Sequence, residues 1–356
     1  MWVLNNTCAQ PLTFLLVGIP GLRAAQIWVF IPVCLLYAIA LSGNSMILFV
    51  VLREQSLHVP MYYFLSMLSA TDLSLSLCTL STTLGVFWFE AREIDLNACI
   101  AQMFFLHGFT FMESGVLLAM AFDRFVAICD PLRYTSILTN ARISQIGMSM
   151  LIRNVAVMLP AVLFVTRLSF RGSTVLSHSY CCRVDLIQLS CTDNRINSIL
   201  GLFALFSTCP CILLSYVLIT RFVLSIASIE GRQKAFNACI SHISAVAIFY
   251  IPLISLSLVH HYGHSAPPFA HTITANTFLL IPPVLNPIIY SVKAKQGQKA
   301  VIKVLIQKQL QIESLVVSEL SALNECFGRM VCLSNKCLDM PPTVQTIQPI
   351  GCMIFA

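Results

Sequence analysis

Residues 120–134 read MAFDRFVAICDPLRY. After a long apolar stretch almost free of charge, a helix here presents Asp123 and Arg124 side by side, resumes with Val126, Ala127 and Ile128, and stops at Asp130-Pro131. A helix in water spreads its charges along one face. This one holds them for its end, which is where a segment crossing a bilayer can keep charge near water.

The composition agrees. Of 356 residues, 57% are hydrophobic and only 10% charged, with a mean hydropathy of +0.83, far more apolar than an ordinary globular domain. Spans long enough to cross about 30 Å of hydrocarbon occur near 27–52, 60–84, 99–129, 143–165, 198–226, 236–260 and 269–292. The expected fold is therefore an all-α membrane protein, a bundle of seven transmembrane helices. Residues 1–26 contain Pro11, Pro20 and Gly21 and lack a basic start followed by an apolar core. No cleavable signal peptide is expected, and the first helix reads as its own insertion signal.

Orientation follows from Lys and Arg near the helix ends. Arg53, Arg133, Arg142, Arg221, Arg232, Lys234, Lys293, Lys295, Lys299, Lys303 and Lys308 fall on one side. On the other, Arg23, Arg92, Arg167, Arg171, Arg183 and Arg195 are diluted by Glu90, Glu93, Asp95, Asp185 and Asp193. The richer side is expected to be cytoplasmic, with the N-terminus extracellular and the C-terminus cytoplasmic. The formal charge of +6 then reflects topology, and no basic, aromatic-interleaved stripe suggests nucleic acid. Fifteen cysteines form no C-x-x-C pairs, so no metal site is expected. Cys99, Cys181, Cys182 and Cys191 fall on the outer side, where disulfides persist. The sequon at Asn5 permits glycosylation.

Ionisable groups inside a bilayer are costly and usually functional. Asp72 in LSATDLSLSL and Glu113 in FMESGVLLAM lie well inside their spans, and Asn286 in PPVLNPIIY adds an amide at comparable depth. Three oxygen-bearing side chains at one level can hold a hydrated cation, share protons, or simply pin helices together. The candidate occupant is an allosteric sodium ion; no other cofactor is expected. Asp123 and Arg124 differ, since an adjacent carboxylate can restrain a guanidinium until a partner competes for it. Pro252 and Pro287 remove backbone donors from helices six and seven and offer hinges.

With GN at 43–44, LHVPMYYFLSMLSATDL at 57–73, MAFDRFVAICDPLRY at 120–134, SHSYC at 177–181, KAFNACISH at 234–242, FYIP at 249–252 and PPVLNPIIYSVK at 282–293, residues 1 to 308 resemble a rhodopsin-like G-protein-coupled receptor, and more narrowly an olfactory receptor. GIPGL at 18–22, His107 and LVHHYGHSAPP resemble the class I, fish-like branch, associated with polar odorants and often with carboxylic acids. The resemblance implies a multi-pass plasma-membrane protein in contact with membrane lipid. It also implies a small-molecule odorant, a heterotrimeric G protein of the stimulatory olfactory type and a rise in cAMP. Asp123 and Arg124 would be the inactive-state latch, with Asn286, Pro287 and Tyr290 of NPIIY taking part in activation. Cys99 and Cys181 would form the family's central bridge. The matching ligand-anchor position is His261; because an imidazole is only partly charged near neutral pH, Arg183, two residues after Cys181, is the alternative cation. His107, Ser257 and His260 would line the polar side of the cavity, and Phe111 the apolar side.

Several positions depart from the family pattern. Phe125 stands where Tyr usually follows Asp-Arg, and Asp130 where Asn or His precedes the Pro. Arg171 stands where relatives have Cys, while Cys182 is extra, which leaves open whether Cys182 and Cys191 pair. The expected organisation is an N-terminal segment 1–26, a receptor domain 27–292, a juxtamembrane helix 293–308 and an atypical tail 309–356 that reads as disordered or alternatively encoded. No nucleophile elbow, phosphate loop or H-E-x-x-H supports an enzyme. The competing readings are a transporter or channel, although no internal repeat is evident, and a poorly functional receptor-like variant.

Overall fold

The computed structural model describes residues 11–16, 26–89, 91–170, 174–176, 178–191, 206–262 and 268–293, with backbone only at 26–29, 260–262, 268–272 and 291–293. Seven long helices appear among them: α1 (Gln26–Arg53), α2 (Pro60–Phe87), α3 (Leu96–Cys129), α4 (Asn140–Val165), α5 (Cys209–Ser225), α6 (Ile229–Tyr262) and α7 (Pro268–Lys293). Their ends follow local chemistry. Val59 is extended and Pro60 opens α2, where a missing N–H costs nothing. The Asp95 carboxylate caps α3 by accepting from the Asn97 N–H at 2.9 Å, and the Thr139 hydroxyl caps α4. Asp130 leaves helical geometry before Pro131 and ends α3. Helix α6 begins at Ile229, earlier than the expected 236, because its polar first turns, IEGRQKAFN, extend the helix beyond the apolar stretch that the sequence reading used.

The distribution of side chains is inverted relative to a water-soluble protein. Leu35, Leu52, Leu77, Ile152, Leu213, Leu214 and Ile251 point outward, while Asn44, Asp72, Glu113, Asp123, His242 and Asn286 are buried within the bundle. Hydrocarbon outside removes the drive to bury Leu, and leaves polar groups only each other. By length and composition, Phe30–Arg53, Pro60–Phe87, Asn140–Val165, Ile229–Val259 and Ile273–Tyr290 are suited to crossing a membrane. Helix α3 is central to the bundle: it touches α2, α4, α5 and α6, so little of it needs to face lipid. Helix α1 packs on α2 and α7, and α7 on α6 and α2, closing the ring around α3. Contact between α1 and α7 is close enough that a Cβ at Gly43 would lie 3.0 Å from Pro287 Cβ.

The all-helical expectation holds for the bundle but misses its cap. Strand β1 (Thr13–Leu16) pairs antiparallel with β2 (Glu93–Asp95) and parallel with β3 (Val175–Leu176) in the order β2-β1-β3. Phe14 and Leu16 turn inward while Thr13 and Leu15 turn out, the two-residue period of a half-buried strand. Phe14 meets the Phe170 ring edge-on at 5.3 Å, in an apolar cluster with Val165, Leu168, Leu186 and the cysteines 99 and 181.

Candidate functional site

Three polar clusters lie along the bundle. In the middle, the Asn286 amide donates to Asp72 Oδ2 at 3.0 Å, and Glu113 lies within electrostatic reach of both. The Asn44 amide donates to the carbonyls of Ala40 (2.9 Å) and Pro283 (2.8 Å). All four residues are almost fully buried. Asn44 Oδ1, Asp72 Oδ1, Glu113 Oε1 and Asn286 Oδ1 have no donor among the described residues. The structure thus brings Asp72 and Asn286 into contact with Glu113 nearby, while Asn44 holds the α7 backbone at Pro283, three residues before Asn286. No group of three or more His, Cys, Asp or Glu side chains that could hold a metal occurs among the described residues.

Towards the Asp130 end of α3, Arg124 lies 3.6 Å from Asp123, whose other oxygen accepts from the Tyr134 hydroxyl at 2.7 Å. Burial, reinforced by the Asp123 carboxylate, pushes the Tyr134 phenol upward, so it remains a donor. Arg124 also touches Met61 Sδ and lines a cavity of about 140 Å³ with Met120, Ser241, His242 and Tyr290. His242 Nε2 lies 3.0 Å from the Leu117 carbonyl, which can only accept, so the proton is on Nε2 and Nδ1 accepts from the Tyr216 hydroxyl. Helices α3, α5 and α6 are thereby tied together. Phe125 packs against Ile219, Val223 and Cys239, an apolar setting in which the hydroxyl of the usual Tyr has no use. The charge of Asp130 is answered locally by Arg133 at 3.9 Å, both exposed.

At the opposite end, Cys99 and Cys181 are disulfide-bonded, as the family resemblance implied. Gln102 reinforces the bridge: its Oε1 accepts from the Cys181 N–H (3.0 Å), while its Nε2 donates to the Cys78 carbonyl and Thr82 Oγ1. The next turn is a short helix, Arg183–Leu189, anchored by His178 Nδ1 to Asp185 Oδ2 at 2.6 Å in a fully enclosed pair. The Arg183 N–H donates to His107 Nε2 at 3.2 Å, and Ser179 Oγ to Asn276 Oδ1 on α7 at 3.3 Å. The loop is clasped to α3 and α7 at once. Cys191 is disulfide-bonded while Cys182 is a free, buried thiol, which rules out the pairing of these two that the sequence left open. Burial, then the nearby Asp185 charge, pushes the Cys182 thiol up to about 12. Since the thiolate is the reactive form, Cys182 should remain unlabelled by an impermeant maleimide at neutral pH in native receptor and become labelled after denaturation; native labelling would contradict its enclosure.

Among the residues expected to contact a ligand, His107 meets the loop backbone, Phe111 is buried, and the Ser257 hydroxyl turns back to the Leu253 carbonyl at 2.9 Å. The side chains of His260 and His261 fall outside the described residues, as do Asn5, Arg171, the segment 294–308 and the tail. The sequence reading missed Gln102, the Tyr216–His242 tie and Arg153 on α4, whose Nη2 donates to the Phe111 carbonyl at 2.8 Å. Arg153 was open to discovery, because it is a single cation inside the apolar run SMLIRNVAVML.

The fold resembles that of squid rhodopsin, whose crystal structure superposes with a TM-score of 0.64 at 17% identity, covering 79% of this chain and 80% of that one. Human Olfactory receptor 51F2 is 83% identical over 312 residues, covering 86% of this chain and 91% of that receptor. Human Olfactory receptor 51F1 is 60% identical over 312 residues, 86% of this chain and 98% of that receptor. None of these findings supports a transporter or channel. Residues 33–308 match the olfactory receptor family pattern, and with the fold, the bridged loop and the Asp123–Arg124 end in agreement, the chain belongs to the olfactory receptor family of multi-pass plasma-membrane receptors, which are not enzymes.

Proposed function

We propose that this receptor binds a small polar or acidic volatile beneath the loop 178–189, among the outer halves of α3, α5, α6 and α7, with its N-terminus extracellular. Binding activates a heterotrimeric G protein of the stimulatory olfactory type and raises cAMP. The observation that carries this reading is the Arg183 N–H on His107, which fixes the start of the loop helix against α3. Burial lowers the Arg183 guanidinium from the usual arginine range, so a carboxylate reaching it gains a poorly solvated, bidentate contact. Arg124, restrained by Asp123 and enclosed beside Met61 and Tyr290, is the group released towards the G protein when α6 moves.

Arg183→Ala tests the anchor in a cAMP reporter assay with a carboxylic acid and its methyl ester. A hydrogen bond to a charged group contributes about 1.5–3 kcal/mol, so the acid should lose about tenfold or more in potency while the ester changes little. Equal losses for both ligands, or none, at normal surface expression would rule out Arg183.

The polar centre is assigned a sodium ion favouring the inactive state. Three enclosed oxygens without donors, those of Asp72, Glu113 and Asn286, two of them from carboxylates, suit a hard cation, which prefers oxygen ligands. Asp72, Glu113 and Asn286 would hold it.

A further inference from the structure

Arg153 lies midway along α4, in a span apolar enough to cross a bilayer. A cation at that depth is normally paired, yet Arg153 makes no ion pair among the described residues. Its Nη2 is used by the Phe111 carbonyl and, at 3.4 Å, by Ser114 Oγ, while Nε is enclosed without an acceptor. These neutral partners position the guanidinium but leave its charge uncompensated. Space for it is provided by Gly115, where a Cβ would come within 3.2 Å of Nη2 and 3.3 Å of Met150 Cγ.

The same side chain lines a groove of about 470 Å³ between α3 and α4, walled by Leu118, Ala119, Phe122, Ile146 and Met150. Ser149 and Phe122 are exposed at its mouth, on the surface that faces hydrocarbon. Apolar walls with one charged group at the end, in a volume within the ordinary range for small ligands, select an amphiphile with an anionic head and a single short chain.

We propose that this groove is a second ligand site, entered from the bilayer and separate from the cavity beneath the loop, which takes a medium-chain carboxylic acid with its carboxyl group on Arg153. A phospholipid does not meet the requirement, since its phosphate stays at the membrane surface, about 15 Å from the bilayer centre. A weak acid crosses hydrocarbon in its neutral form and can bring an acceptor to the guanidinium there. Bidentate geometry and the dry surroundings favour the carboxyl group over a hydroxyl.

The test is photolabelling of the full-length receptor in membranes with a diazirine-bearing decanoic acid and the matching decanol, followed by peptide mapping. The acid should label the peptides covering 115–122 and 146–153 about tenfold more than the alcohol, the ratio expected of a charge-assisted contact. Arg153→Gln, which keeps an amide donor for the Phe111 carbonyl, should bring the ratio near one. Arg153→Lys should retain a preference for the acid, and Ser149→Phe, closing the mouth, should reduce labelling by both probes. A wild-type ratio near one overturns the proposal, as does an unchanged ratio in Arg153→Gln. If Arg153→Gln fails to reach the membrane, equal labelling of Arg153→Lys by acid and alcohol overturns it instead.

Discussion

Cys99→Ser and Cys181→Ser are each expected to lower surface expression at least several-fold, while Cys182→Ser stays within about twofold of wild type. The Cys99–Cys181 bridge closes a loop of 82 residues in sequence, for which chain-entropy reasoning gives about 4–5 kcal/mol. Membrane insertion already restricts the unfolded chain, so that figure is an upper one. More than the bridge depends on it. Gln102 reads the Cys181 N–H, His107 reads the Arg183 N–H, and Phe14, Leu16, Leu176 and Leu186 pack around the two cysteines. Releasing Cys181 would therefore loosen the sheet cap and the loop helix together. Cys182 is buried but forms no bridge, and its loss removes one small apolar group. Flow cytometry of surface-tagged variants, with non-reducing peptide mapping of the wild type, measures both parts. Normal surface levels of Cys99→Ser, or Cys99 recovered as a free thiol, would contradict the assignment. The same measurement on the wild type decides whether the loss of the usual loop cysteine at Arg171 leaves a receptor that reaches the surface.

What was legible in the sequence was whatever is local or repeated in pattern. Seven apolar runs, the stop at Asp130-Pro131 and the buried Asp72, Glu113 and Asn286 are read one segment at a time; seven long helices follow from those runs, although α6 starts seven residues earlier than its apolar stretch. The cap was not legible, because β1 is four residues long and acquires meaning only from partners at Glu93–Asp95 and Val175–Leu176. Gln102 looked like an ordinary polar residue near a helix end; its role comes from groups on α2 and in the loop. His242 ends the stretch KAFNACISH, but its tie to Tyr216 and the Leu117 carbonyl depends on how α3, α5 and α6 pack. Arg153 is the instructive miss. Charge inside an apolar run marks Asp72 and Glu113, and the same rule applied to cations marks Arg153.

Glu113→Gln is expected to abolish the sodium dependence of basal nucleotide exchange on the G protein. Asn286 gives one N–H to Asp72, and the Asn44 amide is used by two backbone carbonyls, so donors are scarce while Asp72 Oδ1, Glu113 Oε1, Asn286 Oδ1 and Asn44 Oδ1 stay unsatisfied. Two enclosed carboxylates repel each other strongly in a low dielectric, and a cation or protons must offset that repulsion. A sodium ion that binds only the inactive arrangement, at about ten times its dissociation constant, stabilises it by about 1.4 kcal/mol. That is about a tenfold change in the ratio of active to inactive receptor. In isolated membranes, exchanging sodium for a bulky organic cation at constant ionic strength should raise basal exchange in wild type by up to that factor. Glu113→Gln keeps the side chain's size but removes a charge, so its basal exchange should no longer respond, and Asp72→Asn should behave alike. Wild-type exchange that follows pH while ignoring sodium would mean that protons neutralise the cluster, and the sodium assignment would fail.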